Sequence, residues 1–423
     1  MSVLDEFHAM FPHLPPTVML KVDLLRQGVQ FGAAPIGTRH YHHHDEKGQK
    51  PVDLKAHLQG SVTLPDGSPV FVGHNPASRY TILVDPESGH LRLVDGPAHE
   101  PVCDLTPGPR FTWTSGRTST QAPMASVFTP SLGGACGPVA IFLLRHCEFA
   151  VDHEECRFCS WVRMGKSQEM RPNVSDMRET LGRIWNEQGA IGYLAFSGGS
   201  LFNRTKEADA FLTYMAAVRE TGLPVPPTVA AIQALDAPDS RRLRDAGFDY
   251  ACYSMEVWDE RAWSDVLPGK ARSVGRERWM ACLAEAVEVF GPGRVLSNFV
   301  AGVETMVPGL YETPQAAAES TLAGMRWCCE QGVYPKYAIW VPSTGAAYAG
   351  RPPAPLEYYA HLLEGRQALY AEFALPVPDI DCRHCLTQSC EADLATLDPA
   401  RYAAGSAGLI HWNERHRRAH IAA

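Results

Sequence analysis

At 423 residues the chain is long enough to bury a large core, and one large domain with a smaller companion is the expected arrangement. Hydrophobic residues make up 45% and charged residues 20%, as in soluble globular enzymes. A net charge of −9 and a pI near 6.0 argue against a nucleic-acid-binding surface.

The opening MSVLDEFHAM has no basic-then-apolar run, so no secretory signal is expected. Residues 55–75 and 78–96 read as antiparallel hairpins, with turns at Asp66-Gly67 and at Pro86-Glu87-Ser88-Gly89. Residues 1–130 are therefore expected to form a β-rich N-terminal extension. Its RHYHHHDEKG tract at 39–48 could be read as a metal site, but a polar loop beside a turn is the simpler reading. The longest uncharged stretch, 118–144, contains Pro123, Pro130, Pro138, Gly133, Gly134 and Gly137, which would break a membrane-spanning helix. No membrane association is expected, and the location expected is cytoplasmic.

From residue 137 short apolar β-type runs alternate with amphipathic stretches of helical length. Strands are expected within 137–147, 190–200, 226–234, 250–258, 294–304 and 334–345. Helices are expected between them and again at 355–373, several ending at glycine. Six successive βα units imply right-handed crossovers and a parallel sheet, open or curled into a barrel. The expected division is 1–130, 131–350 and 351–423, the last a helix followed by a cysteine-containing cap.

The twelve cysteines are unevenly spread, and without a signal peptide they do not suggest a disulfide scaffold. Cys147, Cys156 and Cys159 follow the first strand of the βα series, where parallel sheets collect ligands. Three clustered thiols suit an iron–sulfur cluster with one open iron, or a zinc completed by His153 or a distant residue. Spacing alone leaves both open.

The segments that follow resemble the radical S-adenosylmethionine (radical SAM) superfamily, in particular the branch containing biotin synthase. The features occur in order: CRFC, with Phe158 before the last cysteine; FSGGS, containing Gly198 and Gly199; YSMEVW, containing Ser254 and Glu256; GRERW, containing Arg278; and SNFVAGVE. The likeness covers about 137–345. It implies a partial (β/α)6 parallel barrel and a 4Fe–4S cluster on Cys147, Cys156 and Cys159. It also implies S-adenosyl-L-methionine held by the glycine pair, Ser254, Glu256 and Arg278, with Phe158 beside it. The family's first two cysteines usually stand three residues apart, whereas here eight intervene. Asp152 occupies the usual position, but thiolates are the common cluster ligands, so Cys147 is the expected one.

The implied reaction is reductive cleavage of S-adenosylmethionine to a radical that acts on a small molecule. An electron donor such as ferredoxin or flavodoxin would serve it, and the site would be oxygen-sensitive. On physical grounds Gly198 and Gly199 allow close backbone approach, and Ser254 and Glu256, two apart on a strand, would share a face. Arg278 could pair with the cofactor carboxylate, with Arg272 and Arg276 as alternatives. Positions at strand ends, Gln233, Asn298, Glu304 and Trp340, are candidates for substrate contact.

A second triad, Cys382, Cys385 and Cys390, matches the spacing of the C-terminal cluster motif of the phosphomethylpyrimidine synthase family over ten residues. An auxiliary iron–sulfur cluster, a structural zinc and free thiols all remain open for it. Two other functions compete with the radical reading: a zinc-dependent barrel hydrolase, and a non-enzymatic iron–sulfur or metal carrier.

Overall fold

A computed structural model of the protein describes residues 2–31, 61–85, 88–109, 111–131, 137–160, 171–342, 345–381 and 383–401. The histidine tract at 39–48 and Cys382 lie outside these residues.

Two helices, α1 (Val3–Met10) and α2 (Pro16–Gln27), precede a six-stranded sheet. Ser2 and Asp5 close a capping box at the start of α1. Helix α2 buries every residue from Val18 to Leu25, Lys21 and Asp23 included. The sheet contains β1 (Gln30–Phe31), β2 (Ser61–Thr63), β3 (Pro69–Phe71), β4 (Tyr80–Val84), β5 (Leu91–Asp95) and β6 (Glu100–Pro107). Both expected hairpins form: Val62 faces Val70 across β2 and β3, and Ile82 faces Leu93 across β4 and β5.

After the short α3 (Met124–Val127), β7 (Phe128–Pro130) runs antiparallel beside the first strand of the βα series. The series follows as β8 (Val139–Leu144), α4 (Val174–Gln188), β9 (Leu194–Gly198), α5 (Arg204–Arg219), β10 (Thr228–Ala231), α6 (Ala237–Ala246) and β11 (Tyr250–Cys252). It continues with α7 (Glu260–Val266), α8 (Pro268–Ser273), α9 (Arg276–Phe290), β12 (Val295–Ala301), α10 (Pro314–Glu330), β13 (Tyr334–Ile339) and α11 (Leu356–Phe373). The strands lie side by side in chain order, β8 to β13, all parallel, with no pairing of β13 back to β8. This is a partial (β/α)6 barrel.

Side chains along these strands alternate between two environments. Helix-facing residues are fully buried; Phe196, for example, meets Phe248 edge-on at 5.0 Å, and Phe248 in turn lies against Phe211 of α5. The intervening residues are only half-buried: Phe142 in β8, Ala195 and Ser197 in β9, Cys252 in β11, Asn298 and Val300 in β12, Lys336 and Ala338 in β13. A sheet buried on both faces would not show this pattern. The inner face therefore borders a solvent-reached lumen.

The lumen has a floor. Val229, Tyr250, Leu296 and Tyr334, early in four successive strands, pack with Tyr370 and Ile380 in a second apolar cluster. The chain after α11 thus turns beneath the barrel, where the amide of Asp379 donates to the Tyr250 hydroxyl at 2.9 Å. It then threads between the barrel and the N-terminal sheet, ending in α12 (Glu391–Leu397). The Phe71 amide donates to the Thr387 carbonyl, and the Ile339 amide to that of Gln388, both at 3.0 Å.

The strongest tie is electrostatic. The Lys21 ammonium, with no exposure, donates to Asp393 at 2.6 Å and to the Leu386 carbonyl at 2.8 Å, and Arg383 also reaches Asp393 at 3.1 Å. Removing one member of such a pair strands a buried charge, so Asp393→Asn should lower unfolding stability by about 3–5 kcal/mol, read from the shift of the urea midpoint. A change below about 1 kcal/mol would show that the tie contributes little net stability.

Candidate functional site

The carboxyl ends of the strands bring together groups that are distant in sequence. Cys147 follows β8 and opens a short 3₁₀ turn, Glu148–Ala150. The loop is fixed at several points: the Glu148 amide donates to the Ser200 carbonyl at 2.8 Å, and the Arg157 amide to the Val266 carbonyl at 2.9 Å. The Gly269 amide donates to the Glu154 carbonyl at 2.9 Å, which seats the cysteine loop against α8. Cys156 and Cys159 close a tight turn through a 2.9 Å backbone hydrogen bond. Phe158, between them, is half-buried against the main core.

Burial pushes the Cys156 thiol up, opposed by Lys270, while Cys159, Glu256 and Cys147 lie close enough to raise it further. Burial likewise raises Cys147. In a flat sheet β8 and β11 would stand roughly 14 Å apart, three strand spacings. The Cys147 and Glu256 segments that leave them nevertheless converge on one thiol, as curling of the sheet requires.

Gly198 and Gly199 end β9. A Cβ on Gly199 would lie 2.0 Å from the His146 carbonyl oxygen and 2.9 Å from Cys147 Cα, and one on Gly198 would lie 2.8 Å from the Leu144 backbone. Their bareness lets the end of β9 lie directly on the segment carrying Cys147. The close approach seen here is thus to the cysteine loop.

Ser254 and Glu256 depart from expectation in one respect. Strand β11 stops at Cys252, so neither is a regular strand residue. Glu256 has φ 67°, the left-handed region that is uncommon for a residue with a side chain, and rejoins the sheet through an isolated bridge to Phe299. The Glu256 amide donates to the Asn298 carbonyl at 2.9 Å, and the Val300 amide donates to the Glu256 carbonyl at 2.8 Å. The turn aims the carboxylate at Lys270, whose ammonium lies 2.9 Å away. The ammonium also lies 3.3 Å from the Ser254 carbonyl and 4.6 Å over the Trp279 ring.

Lys270 was not among the residues expected from sequence. Its neighbourhood, PGKARS, reads as an ordinary helix start, and only the fold shows that this lysine is buried beside the thiols. Arg278 is engaged elsewhere: it donates to Asp236 at 2.5 Å and to Glu285 at 2.6 Å, and both bonds hold its guanidinium protonated. Arg272 pairs with Asp152 and Glu154, and Arg276 stacks on Trp258 at 4.4 Å. The cation beside Glu256 is Lys270.

A second residue absent from the sequence reading is Glu207 on α5. Burial pushes its carboxyl up to about 7, while it accepts hydrogen bonds from the Leu201 amide at 2.7 Å and the Gln233 side chain at 2.5 Å. Gln233 is thus in place at a strand end, as is Asn298. Glu304 is locked by Thr321 and Tyr358 in a buried network behind the sheet.

Several buried polar atoms without a partner gather on the loops that leave the strands: His146 Nδ1, Glu155 Oε2, Gln233 Oε1 and Trp340 Nε1. Unsatisfied groups are costly when buried, so their collection at one end of a barrel marks a place for a polar ligand. Among the described residues, the one group of three metal-type side chains whose ligand atoms lie mutually within 4.8 Å is Asp236, Cys282 and Glu285. Arg204 and Arg278 already occupy it.

Cys385 and Cys390 are buried in the segment that threads beneath the N-terminal sheet, and the Cys390 amide donates to the Tyr337 hydroxyl at 3.1 Å. Neither belongs to a metal-type grouping of described residues.

No family model matches the chain. It is 24% identical over 281 residues to bacteriochlorophyllide c C-7(1)-hydroxylase of Chlorobaculum limnaeum, covering 62% of this chain and 66% of that protein. It is 25% identical over 181 residues to biotin synthase 2 of Paracoccus denitrificans, covering 41% of this chain and 54% of that protein. The match thus spans just under two thirds of the first relative and about half of the second. Similar solved structures include a radical SAM methyltransferase from Sphaerobacter thermophilus, at 14% identity and a TM-score of 0.42, covering 70% of this chain and 76% of that one. Methylornithine synthase is also similar, at 14% identity and a TM-score of 0.39, covering 54% and 60%. With its sequence relatives and the cysteines at the mouth of a partial barrel, the chain resembles the radical SAM superfamily.

The ligand question raised by the long spacing has a direct test. Asp152 is exposed and bonded to Arg272, whereas Cys147 lies with the other thiols. After anaerobic reconstitution, Cys147→Ala should lose most of its bound iron and of the cluster's visible absorbance. Asp152→Ala should keep both. The reverse result would reassign the third ligand.

Proposed function

We propose that the protein is a radical SAM enzyme that converts a small-molecule substrate in the barrel lumen. The observation that carries this reading is the convergence of three part-buried thiols with the Lys270–Glu256 pair at the mouth of that lumen.

Cys147, Cys156 and Cys159 would hold a 4Fe–4S cluster, leaving one iron for S-adenosylmethionine. When bound, the cluster and cofactor together supply reductive carbon–sulfur cleavage and a radical directed at the substrate. The chain's own residues have distinct tasks around that chemistry. The cysteine loop, sewn to β9, α7 and α8, fixes the thiols in place. Glu256 offers one carboxylate oxygen to Lys270, and its other oxygen can accept from ribose hydroxyls. Lys270 balances negative charge that the thiolates bring into a buried place. The unpartnered atoms of His146, Gln233 and Trp340 are available to polar groups of the cofactor. The floor beneath the strands excludes water from one end of the chamber.

An external one-electron donor of ferredoxin or flavodoxin type would feed the cluster, and oxygen exclusion would be needed. No helix among the described residues is long and apolar enough to cross a membrane. The zinc hydrolase reading is disfavoured by a thiol-only donor set, and the carrier reading by a lumen that a carrier would not need.

The role of Glu256 is testable by S-adenosylmethionine titration into the anaerobic reconstituted protein, followed through the cluster's electron paramagnetic resonance spectrum. Glu256→Gln removes a charged acceptor and should weaken binding by about 1.5–3 kcal/mol, roughly ten- to a hundredfold. Iron content should stay at the wild-type level, because no thiol is altered. Unchanged affinity would make Glu256 a structural partner of Lys270 and nothing more.

A further inference from the structure

The inner face of the barrel carries one charged residue among its described strand positions. Lys336 sits in the middle of β13, with Tyr334 on the floor below it and Ala338 toward the mouth. Its ammonium pairs with Asp381, which the chain beneath the barrel contributes. The two partners are not equally accessible: the Lys336 side chain is 24% exposed and that of Asp381 6%. A molecule in the lumen therefore meets the ammonium, with the carboxylate behind it.

An ammonium has three donors, and Asp381 is the one hydrogen-bond partner of Lys336 among the described residues. Asn298 is its register neighbour on β12, and among the described residues the Asn298 side-chain amide has no hydrogen-bond partner. Adjacent inward-facing positions on paired strands bring side chains within reach of a common ligand. Cys252 links this layer to the mouth, since its thiol senses Lys336 on one side and Glu256 and Lys270 on the other. The remaining inner wall is largely apolar, through Phe142, Ala195, Ala231, Val300 and Ala338.

We infer that Lys336 and Asn298 anchor the carboxylate of an organic-acid substrate whose apolar body extends toward the thiols. This rests on the reading of the lumen as the substrate chamber. Two residues of strand separate the Lys336 layer from the Ala338 layer, a rise of roughly 6.6 Å. A carboxylate held at Lys336 thus leaves a carbon several bonds away at the mouth. Asp381 keeps the lysine oriented and charged when no substrate is present, and it competes with the substrate for the ammonium.

Hexanoate serves as a probe, with hexanamide as its uncharged counterpart, each titrated calorimetrically into the reconstituted protein. Hexanoate should bind saturably and at least tenfold more tightly than hexanamide. Lys336→Met should abolish that difference, Lys336→Arg should keep most of it, and Asp381→Asn should tighten hexanoate severalfold by removing the competing carboxylate. Equal binding of acid and amide by the wild type would overturn the inference, as would full preference in Lys336→Met. Should Lys336→Met fail to fold, Asp381→Asn decides, and unchanged or weaker hexanoate binding in that variant counts against the anchor. Cluster absorbance and S-adenosylmethionine binding, measured on the same samples, report the radical reading separately. Their loss alongside intact hexanoate preference would sink that reading and leave the anchor standing.

Discussion

A single ammonium, that of Lys270, stands between a carboxylate and a group of part-buried thiols, and the geometry of the mouth depends on it. Taking Glu256 out of water costs several kcal/mol unless a cation meets it at close range. The same cation opposes the burial that raises Cys156 and keeps its proton. Placing Lys270 there requires the chain to rise from β11 through a left-handed residue, pass through α7, and return as α8 against the cysteine loop. Gly269, next to it, has no room for a side chain, because a Cβ would lie 2.6 Å from the Glu154 carbonyl oxygen and from the Phe149 ring. Loop, helix and strand end are thus closed around one charge.

The rest of the barrel supplies a chamber with two different ends. At the mouth are thiols, an ion pair and unsatisfied polar atoms. At the floor is an apolar layer of tyrosines and leucine, covered by chain that has travelled beneath the sheet and is locked to the N-terminal unit through Lys21 and Asp393. The N-terminal sheet consequently acts on the chamber indirectly, by holding the segment that carries Asp381 and the floor.

All six parallel strands were legible in the sequence, because parallel strands form compact apolar runs separated by amphipathic helices. The helix over 355–373 was legible for the same reason. Helix α2 was not, since it is buried around most of its circumference and shows no clean period. The site was legible where chemistry is written in residue type: three cysteines near a strand end, and a glycine pair ending the next strand. It was hidden where position decides. Lys270 and Lys336 look like surface lysines in sequence, and only curling of the sheet and the return of the C-terminal chain bury them. Arg278 was a fair candidate by location, but Asp236 and Glu285, separated from it by 42 and 7 residues, take up its guanidinium.

A mouth that binds a cluster and S-adenosylmethionine for radical generation, as proposed, must cleave the cofactor on reduction. The most direct test is the nucleoside formed when the anaerobically reconstituted protein is reduced with S-adenosylmethionine present. The account predicts 5′-deoxyadenosine, formed by the wild type and lost in Cys156→Ala. Intact S-adenosylmethionine after reduction of a fully loaded cluster, with no nucleoside released, would contradict it.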